Sequence, residues 1–349
     1  MVIDKLRQFS TFYIYGAQVI AYGAYRAIKH LTGRVPQGFI VADLSNNPSN
    51  IDGIEVILPQ NIEEDATVLV AVSELLHNSV ATVLREYPVE DVFYLSDHEE
   101  HLLMSAYFGD LGIFPTEVNG GFSSSLVDFA MYEVCNHRDK PLISPPVLKS
   151  FEHIIQAGVA LTERQIAEFR DDKGENISGK NMQYCEMSAV YWIWKNRRHD
   201  WVGIEHYRRH LLVAPEMLTD DVDAILPLPY MCYPNTLAQF RRFVSENVVS
   251  ALLQALQELR PCEYDDYLAI LQGQYQYTYN LLCARWSVFD DYCRWFFRIT
   301  EYMEGMADKV PELADTRALS YVAEALTNIY FMSHKDVLRI RHVEKAIFV

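Results

Sequence analysis

The chain has 349 residues, 50% hydrophobic and 22% charged, with 22 Tyr, 17 Phe and 5 Trp, enough for two globular domains at roughly 100–200 residues each. A formal net charge of −17 argues against nucleic acid as a partner, and no apolar run approaches the ~18 residues that cross a bilayer. The six cysteines (135, 185, 232, 262, 283, 293) form no CxxC pair and lack zinc-type spacing. They read as buried thiols of a soluble, cytoplasmic protein, and the N-terminus has no apolar signal-peptide core.

The first 120 residues alternate strand and helix signals. FYIYG (12–16) is an apolar β-rich run, and AQVIAYGAYRAIKHL then carries helical spacing. GFIVAD (38–43), ATVLVAVS (66–73) and VFYLSD (92–97) read as further strands, with a helix through about Leu84 between the last two. Such alternation predicts a parallel sheet with right-handed crossovers, a Rossmann-like domain over 1–120. Asp43 falls about where a dinucleotide fold places its ribose-binding acid, but Gly16-Ala17-Gln18-Val19-Ile20-Ala21 lacks the second and third glycines of GxGxxG. A dinucleotide is therefore disfavoured. The pattern resembles sugar-nucleotide modules attached to bacterial polysaccharide enzymes, and a purely structural module is the other reading. Residues 98–125, ending in Gly120-Gly121 and three serines, are the best linker candidate.

A second domain is expected over 126–349. LVDFAMYEV (126–134) reads as its first strand, and Cys135-Asn136-His137-Arg138-Asp139 follows at once, either as groups presented at a sheet's carboxyl edge or as an ordinary polar loop. Asp171-Asp172 sits in a turn-rich loop, as half of a metal site or as a solvated turn. Ser178 is a plausible cap for a helix running to about 198. On that helix Met182, Glu186, Ala189, Val190 and Ile193 share a face; a carboxylate in an apolar stripe needs a partner, so Glu186 is a functional or network candidate unless it lies at the exposed edge. Lys195, Arg197 and Arg198 complement the helix dipole. A short buried strand then leads to Glu205-His206-Tyr207-Arg208-Arg209-His210. Two arginines at a strand end can clamp a phosphate in a bidentate way, so an anion site is expected there.

The run N-I-S-x-K-N-x-x-Y-C-E-x-x-A-x-Y-W-x-W-K-N followed by D-x-V-G-I-x-H-Y-R-R-H resembles a bacterial family catalogued as domain of unknown function 4422. The likeness extends from YEVCNHRDKPL through QAGVALTERQIAEFRDD and YNLLCARWSVFDDYCRWFF to the RALSYVAEAL helix. It implies a GT-A-like α/β glycosyltransferase of capsule or O-antigen assembly. The expected donor is a nucleoside-diphosphate sugar, a UDP-hexose first among them, and the expected acceptor is a surface-polysaccharide or lipid-linked glycan. The implied location is the cytoplasm, at the inner face of the membrane. The implied donor site comprises His137, Asp171, Asn176, Lys180, Asn181, Glu186, His206, Tyr207, Arg208 and Arg209, with Asn280 toward the sugar or acceptor.

Enzymes of GT-A type usually hold a divalent Mn or Mg ion on a DxD motif. HYRR occupies that place here, so no metal ligand and no required cofactor are assigned; the arginines, helped by His206, are expected to neutralise the diphosphate. The family reads R-x-x-G-F-x-x-E-R-L where this chain has Arg317-Ala318-Leu319-Ser320-Tyr321-Val322-Ala323-Glu324-Ala325-Leu326. Ser320 and Ala325 replace the Gly and the second Arg. Glu324 remains, either as general base for the acceptor hydroxyl, alongside Glu186, or as a structural helix carboxylate. Tyr264, Tyr267, Tyr275, Tyr277 and Tyr279 form an aromatic segment of which Tyr279 is the leading acceptor contact, the others serving mainly as packing. The alternative from another class is a non-catalytic sugar-nucleotide-binding or scaffold protein of the same pathway.

Overall fold

The computed structural model of the chain describes residues 11–116 and 127–348, so the Gly120-Gly121 stretch of the expected linker lies outside the described residues. Two compact units emerge. One holds residues 11–116 together with 230–235; the other holds 127–229 and 236–348. The segment 230–235, assigned from sequence to the second domain, belongs to the first unit: the Tyr233 ring packs 5.3 Å from that of Tyr22, and its hydroxyl accepts from Asp52 N at 3.4 Å.

The first unit is a six-stranded sheet built from β1 (Phe12–Tyr15), β2 (Phe39–Ile40), β3 (Asn50–Ile51), β4 (Ile54–Ile57), β5 (Ala66–Val70) and β6 (Val89–Tyr94), in the order β3-β4-β2-β1-β5-β6. All pairings are parallel except β3 with β4. Helices α1 (Val19–Thr32) and α2 (His77–Leu84) cross from β1 to β2 and from β5 to β6, and α3 (Asp97–Asp110) follows β6. β1 and β5 are buried throughout, as parallel strands covered on both faces must be. The antiparallel strand β3 arises inside NNPSNIDG, which reads from sequence as loop. Helix α3 occupies the front of the expected linker, and the reason was printed in the chain: Ser96 and Glu99 close a capping box.

Gly16 has φ +119, and a Cβ there would stand 2.7 Å from Ala71 O. Its freedom serves strand-to-strand packing rather than a pyrophosphate. Asp43 is likewise consumed locally, accepting from the Ser45 backbone N at 2.8 Å and from the Ser45 hydroxyl.

The second unit is a mixed nine-stranded sheet. Its strands are β7 (Phe129–Cys135), β8 (Glu152–Gln156), β9 (Phe169–Arg170), β10 (Trp201–His206), β11 (Arg209–Leu211), β12 (Ala224–Pro227), β13 (Leu282–Arg285), β14 (Ile340–Val343) and β15 (Lys345–Ile347). The main order is β14-β12-β13-β10-β7-β8-β9, with β11 bridging β10 and β15. β10, β7, β8 and β9 run parallel, so their carboxyl ends share one edge. The expected α/β class is therefore found in both units.

The helix expected over 178–198 is not continuous. A 3-10 turn (Ser178–Lys180) leads into α4 (Asn181–Tyr184), the chain breaks at Cys185, and α5 (Met187–Asn196) resumes. Cys185 has φ +49 and ψ −125, a region that disfavours any side chain with a Cβ. Further helices include α6 (Glu246–Leu259), α7 (Trp286–Glu304) and α8 (Ala318–Ser333). Their facing stripes absorb most of the aromatic excess: Phe289, Tyr292, Phe296 and Phe331 are fully buried, each worth about 1.5–3 kcal/mol of apolar burial. Tyr267 and Tyr277 join that core, and the Tyr277 hydroxyl is tied to His342 Nε2 at 2.8 Å. These two rings are packing.

Candidate active site

Within the second unit a cavity of about 450 Å³ opens where β7, β8 and β10 end, the carboxyl edge at which open α/β sheets bind ligands. Val134, Cys135 and Asn136 come from the end of β7, Ala157 from that of β8, and His206 to Arg209 from β10 and the turn into β11. Across from them α8 presents Arg317, Ser320, Tyr321 and Glu324. Those positions follow the i, i+3, i+4, i+7 spacing of one helix face.

The lining carries Arg138, Arg208, Arg209 and Arg317 against Asp139, Glu186 and Glu324, four fixed cations to three carboxyls in a chain of −17. Arg208 and Arg209 are not neutralised by ion pairs with these acids. Their Nε–H groups are buried and donate to no partner among the described residues. The Arg209 guanidinium instead lies 4.2 Å from the Tyr279 ring centroid, a contact that orients a planar cation without consuming its donors. Buried donors left open on two neighbouring arginines are costly unless an anion takes them.

The His206 ring is hydrogen-bonded to the Tyr279 backbone, while its Nε2 makes no hydrogen bond and stands 3.9 Å from Glu186 Oε1. Burial pushes its pKa below the usual imidazole range, with Glu186 and the Tyr279 backbone opposing and Arg209 and Arg208 pushing the same way as burial. The ring is therefore neutral at pH 7, available as a donor or acceptor rather than as a third cation.

Three of the non-glycine residues with positive φ gather here: Cys185 at +49, Tyr279 at +66 and Asn280 at +51. Each conformation costs of order 1–3 kcal/mol, and each positions a carboxylate. The break at Cys185 turns Glu186 to the cavity; Asn280 Nδ2 then donates to Glu186 Oε1 at 2.7 Å, with Asn280 Oδ1 held by Thr327 Oγ1 at 2.7 Å. The Tyr279 backbone N donates to Glu324 Oε1 at 3.3 Å. Burial, then the charge of Glu186, raise the Glu324 pKa from the ordinary value to about 7, against the lowering pull of Tyr279 N and Arg209. Burial and Glu186 also push up the Cys185 thiol, whose sulfur accepts from Arg317 Nε at 3.2 Å, so it is no nucleophile near neutrality.

Of the residues expected from sequence, Asn181, Glu186, His206, Tyr207, Arg208, Arg209, Tyr279 and Glu324 line this cavity. His137, Asp171, Asn176, Lys180 and Asn280 are not among its lining residues. Asp171 is fully buried, and both oxygens are spoken for: Gly158 N (2.8 Å), Val159 N (3.1 Å), Ser178 Oγ (2.5 Å) and Ser188 Oγ (2.7 Å) all donate to it. Lys180 pairs with Glu304 at 2.8 Å, and Asn176 closes the loop through Gly174 O and Ser178 N. Asn181, although at the cavity, gives its amide to Cys185 O and Ser188 Oγ. Around Asp171 the expected donor residues thus form a scaffold under the site. Gly158 is part of it, with φ +71 and space so tight that a Cβ would meet Asn181 Oδ1 at 2.5 Å.

Asp139, Cys185 and Tyr321 are cavity residues that the sequence reading did not single out. Tyr321 was findable from its helical spacing to Arg317 and Glu324, and its ring stacks 5.3 Å from Phe243. Ser320, one of the two departures from the family pattern, lines the cavity, whereas Ala325 does not.

The cavity's donor set does not fit a divalent cation. Its carboxylates are spread over Asp139, Glu186 and Glu324, the first of which accepts from Asn136 N at 2.6 Å. Among the described residues, the imidazole and carboxylate atoms close enough to share one ion belong to Glu152, Glu205 and His210, none of which lines the cavity. Nor is any helix among the described residues long and apolar enough to cross a membrane.

No curated protein matches the chain. A solved structure, WbbM, a bifunctional glycosyltransferase in its apo form, shares the fold, with a TM-score of 0.54 at 22% identity over 63% of this chain. The match spans 45% of that protein's length. The family model described as a domain of unknown function (DUF4422) matches residues 132–335, which takes in every residue that lines the cavity. The chain belongs to the DUF4422 family.

Proposed function

We propose that the chain is a glycosyltransferase that moves a hexose from a nucleoside-diphosphate sugar to a polysaccharide or lipid-linked glycan acceptor. The observation that carries this is the pairing, across one cavity, of two arginines whose buried donors are open with a carboxyl poised at about 7. Direct displacement of a nucleoside diphosphate by an acceptor hydroxyl uses both, one for the leaving group and one for the proton. Arg208 and Arg209 hold the diphosphate and take the charge that grows on it as the glycosidic C–O bond breaks. Neutral His206 adds a hydrogen bond without adding charge. The acceptor oxygen forms the new bond to the anomeric carbon and gives its proton to Glu324. Glu186, fixed by Asn280, raises the basicity of Glu324 and orients the sugar. Tyr279 and Tyr321 supply ring faces for the acceptor.

This route uses no metal in the cavity, and UDP is the expected nucleotide. A thermal-shift screen against UDP, GDP, CMP and NAD tests it. A shift with UDP or GDP that disappears in Arg208→Ala, and that added Mn²⁺ does not restore, supports the reading; a shift with NAD alone refutes it. Ala325, where the family pattern has Arg, and HYRR in the place of a DxD motif support the second reading, a binding protein without turnover. Nucleotide binding by wild type with no sugar release in the presence of glycan acceptors would favour that one.

A further inference from the structure

We propose that Glu152, Glu205 and His210 form a divalent-cation site, distinct from the anion cavity, that fixes the turn carrying Arg208 and Arg209. One ligand atom from each of the three lies within 4.8 Å of the others. Their side chains are 6%, 0% and 6% exposed. Glu205 supplies the independent sign of a missing ligand: its Oε1 is buried and accepts no hydrogen bond, while Oε2 receives only a long one, from Leu211 N at 3.3 Å. That bare oxygen stands 3.6 Å from His210 Nδ1, a gap too wide for a hydrogen bond and suited to an ion lying between them.

The other ring nitrogen completes the arrangement. His210 Nε2 lies 3.0 Å from Glu133 Oε2; the carboxylate can only accept from a ring N–H there, which leaves Nδ1 free to ligate. A carboxylate behind a ligating imidazole is the usual outer support of a metal-bound histidine. Charge points the same way. Glu133, Glu152 and Glu205 bury three carboxylates, and their local cations are His210 and Lys149, the latter 49% exposed and 3.6 Å from Glu152. Lys149 also gives its ammonium to Val213 O at 3.2 Å. Carboxyls gathered in this number are relieved by a proton or by a cation, and the bare Glu205 Oε1 facing His210 Nδ1 is where a cation would sit. One imidazole nitrogen with two carboxylate oxygens suits Zn²⁺ or Mn²⁺ better than Mg²⁺ or Ca²⁺, which prefer oxygen throughout.

Position gives the site its consequence. Glu205 is the penultimate residue of β10, beside His206, and successive strand residues face opposite sides of the sheet. His210 lies in β11, beyond a turn closed by the His206–Arg209 pair. An ion joining Glu205, His210 and Glu152 at the start of β8 would pin both legs of that turn to the sheet. The ion then acts on the arginines through the backbone and touches no substrate.

The test uses the full chain, stripped with chelator, dialysed, and titrated with Zn²⁺ or Mn²⁺ alone, without nucleotide. Metal content by plasma mass spectrometry should reach one equivalent per chain, with a rise in Tm. Glu152→Gln and Glu205→Gln should each weaken binding at least about tenfold, whereas the cavity variant Arg209→Ala should keep the full equivalent. Failure of the wild-type chain to take up either ion overturns the proposal whatever the variants do, as does uptake that survives Glu152→Gln and Glu205→Gln or is lost in Arg209→Ala. Because no nucleotide is present, failure here is separable from failure of the glycosyltransferase reading.

Discussion

Replacing Glu324 with Gln removes a base and leaves a shape. Its pKa of about 7 means that about half the molecules carry the carboxylate at pH 7 and about a tenth at pH 6, so kcat/KM should fall about tenfold per pH unit below neutrality. General-base catalysis contributes about 10²–10⁴ in rate, or ~3–5 kcal/mol in the barrier. Glu324→Gln should lose that much turnover and its acid limb, while the nucleotide Kd changes by less than about threefold.

Stability should move the other way. A carboxyl whose folded pKa stands above its ordinary value contributes stability that is complete below the unfolded value of 4.5 and is lost as pH rises through about 7. The difference amounts to ~3 kcal/mol at most, and less in proportion to the solvent that enters the cavity. The Gln variant should therefore unfold at higher denaturant than wild type at pH 8 and match it near pH 4. Steady-state release of nucleoside diphosphate from pH 5.5 to 8.5, beside denaturation at pH 4 and 8, checks both halves. Turnover retained within about threefold, or an acid limb that persists in the variant, refutes the assignment.

Arg209→Ala should weaken nucleoside-diphosphate binding by about 10–100-fold in calorimetry, since a hydrogen bond to a charged group is worth ~1.5–3 kcal/mol, with the fold unchanged by circular dichroism. Asp171→Ala strips the acceptor from four donors and should cost about 3–5 kcal/mol of stability in urea, because the loss is structural; a folded variant with normal stability and no nucleotide binding would restore Asp171 to the donor site. Gly158→Ala should destabilise by roughly 1–3 kcal/mol, as φ +71 and the contact with Asn181 both resist a Cβ; an unchanged urea midpoint would contradict this.

The strand-end cluster was legible because charge stands out where a buried strand stops: Trp201-Val202-Gly203-Ile204 must be core, so His206 to Arg209 had to emerge at an edge. The site's other wall was half legible. Glu324 stands out as a carboxylate on an apolar helix, whereas Tyr321, on the same helical face, reads from sequence as one more packing ring. What local propensity hides is the break at Cys185. Nothing in NMQYCEMSAV forbids a continuous helix, and a non-glycine residue at φ +49 is held there by contacts that include a tertiary one, Arg317 Nε on Cys185 Sγ at 3.2 Å. Asp171 was misplaced for a similar reason. A carboxylate in a turn-rich loop reads as exposed, and its first two donors, Gly158 and Val159, come from across a crossover. In the first unit Gly16 and Asp43 were read against a ligand-binding template, but strand packing and a serine turn already account for them.

The central claim is that Arg208 and Arg209 keep their buried donors open for a diphosphate. Calorimetric titration of UDP and GDP into the wild-type chain and into Arg208→Ala/Arg209→Ala tests it most directly. Saturable one-site binding by wild type that disappears in the folded double variant is the predicted result. A wild-type chain that binds neither nucleotide, or a double variant that binds as tightly as wild type, would contradict it.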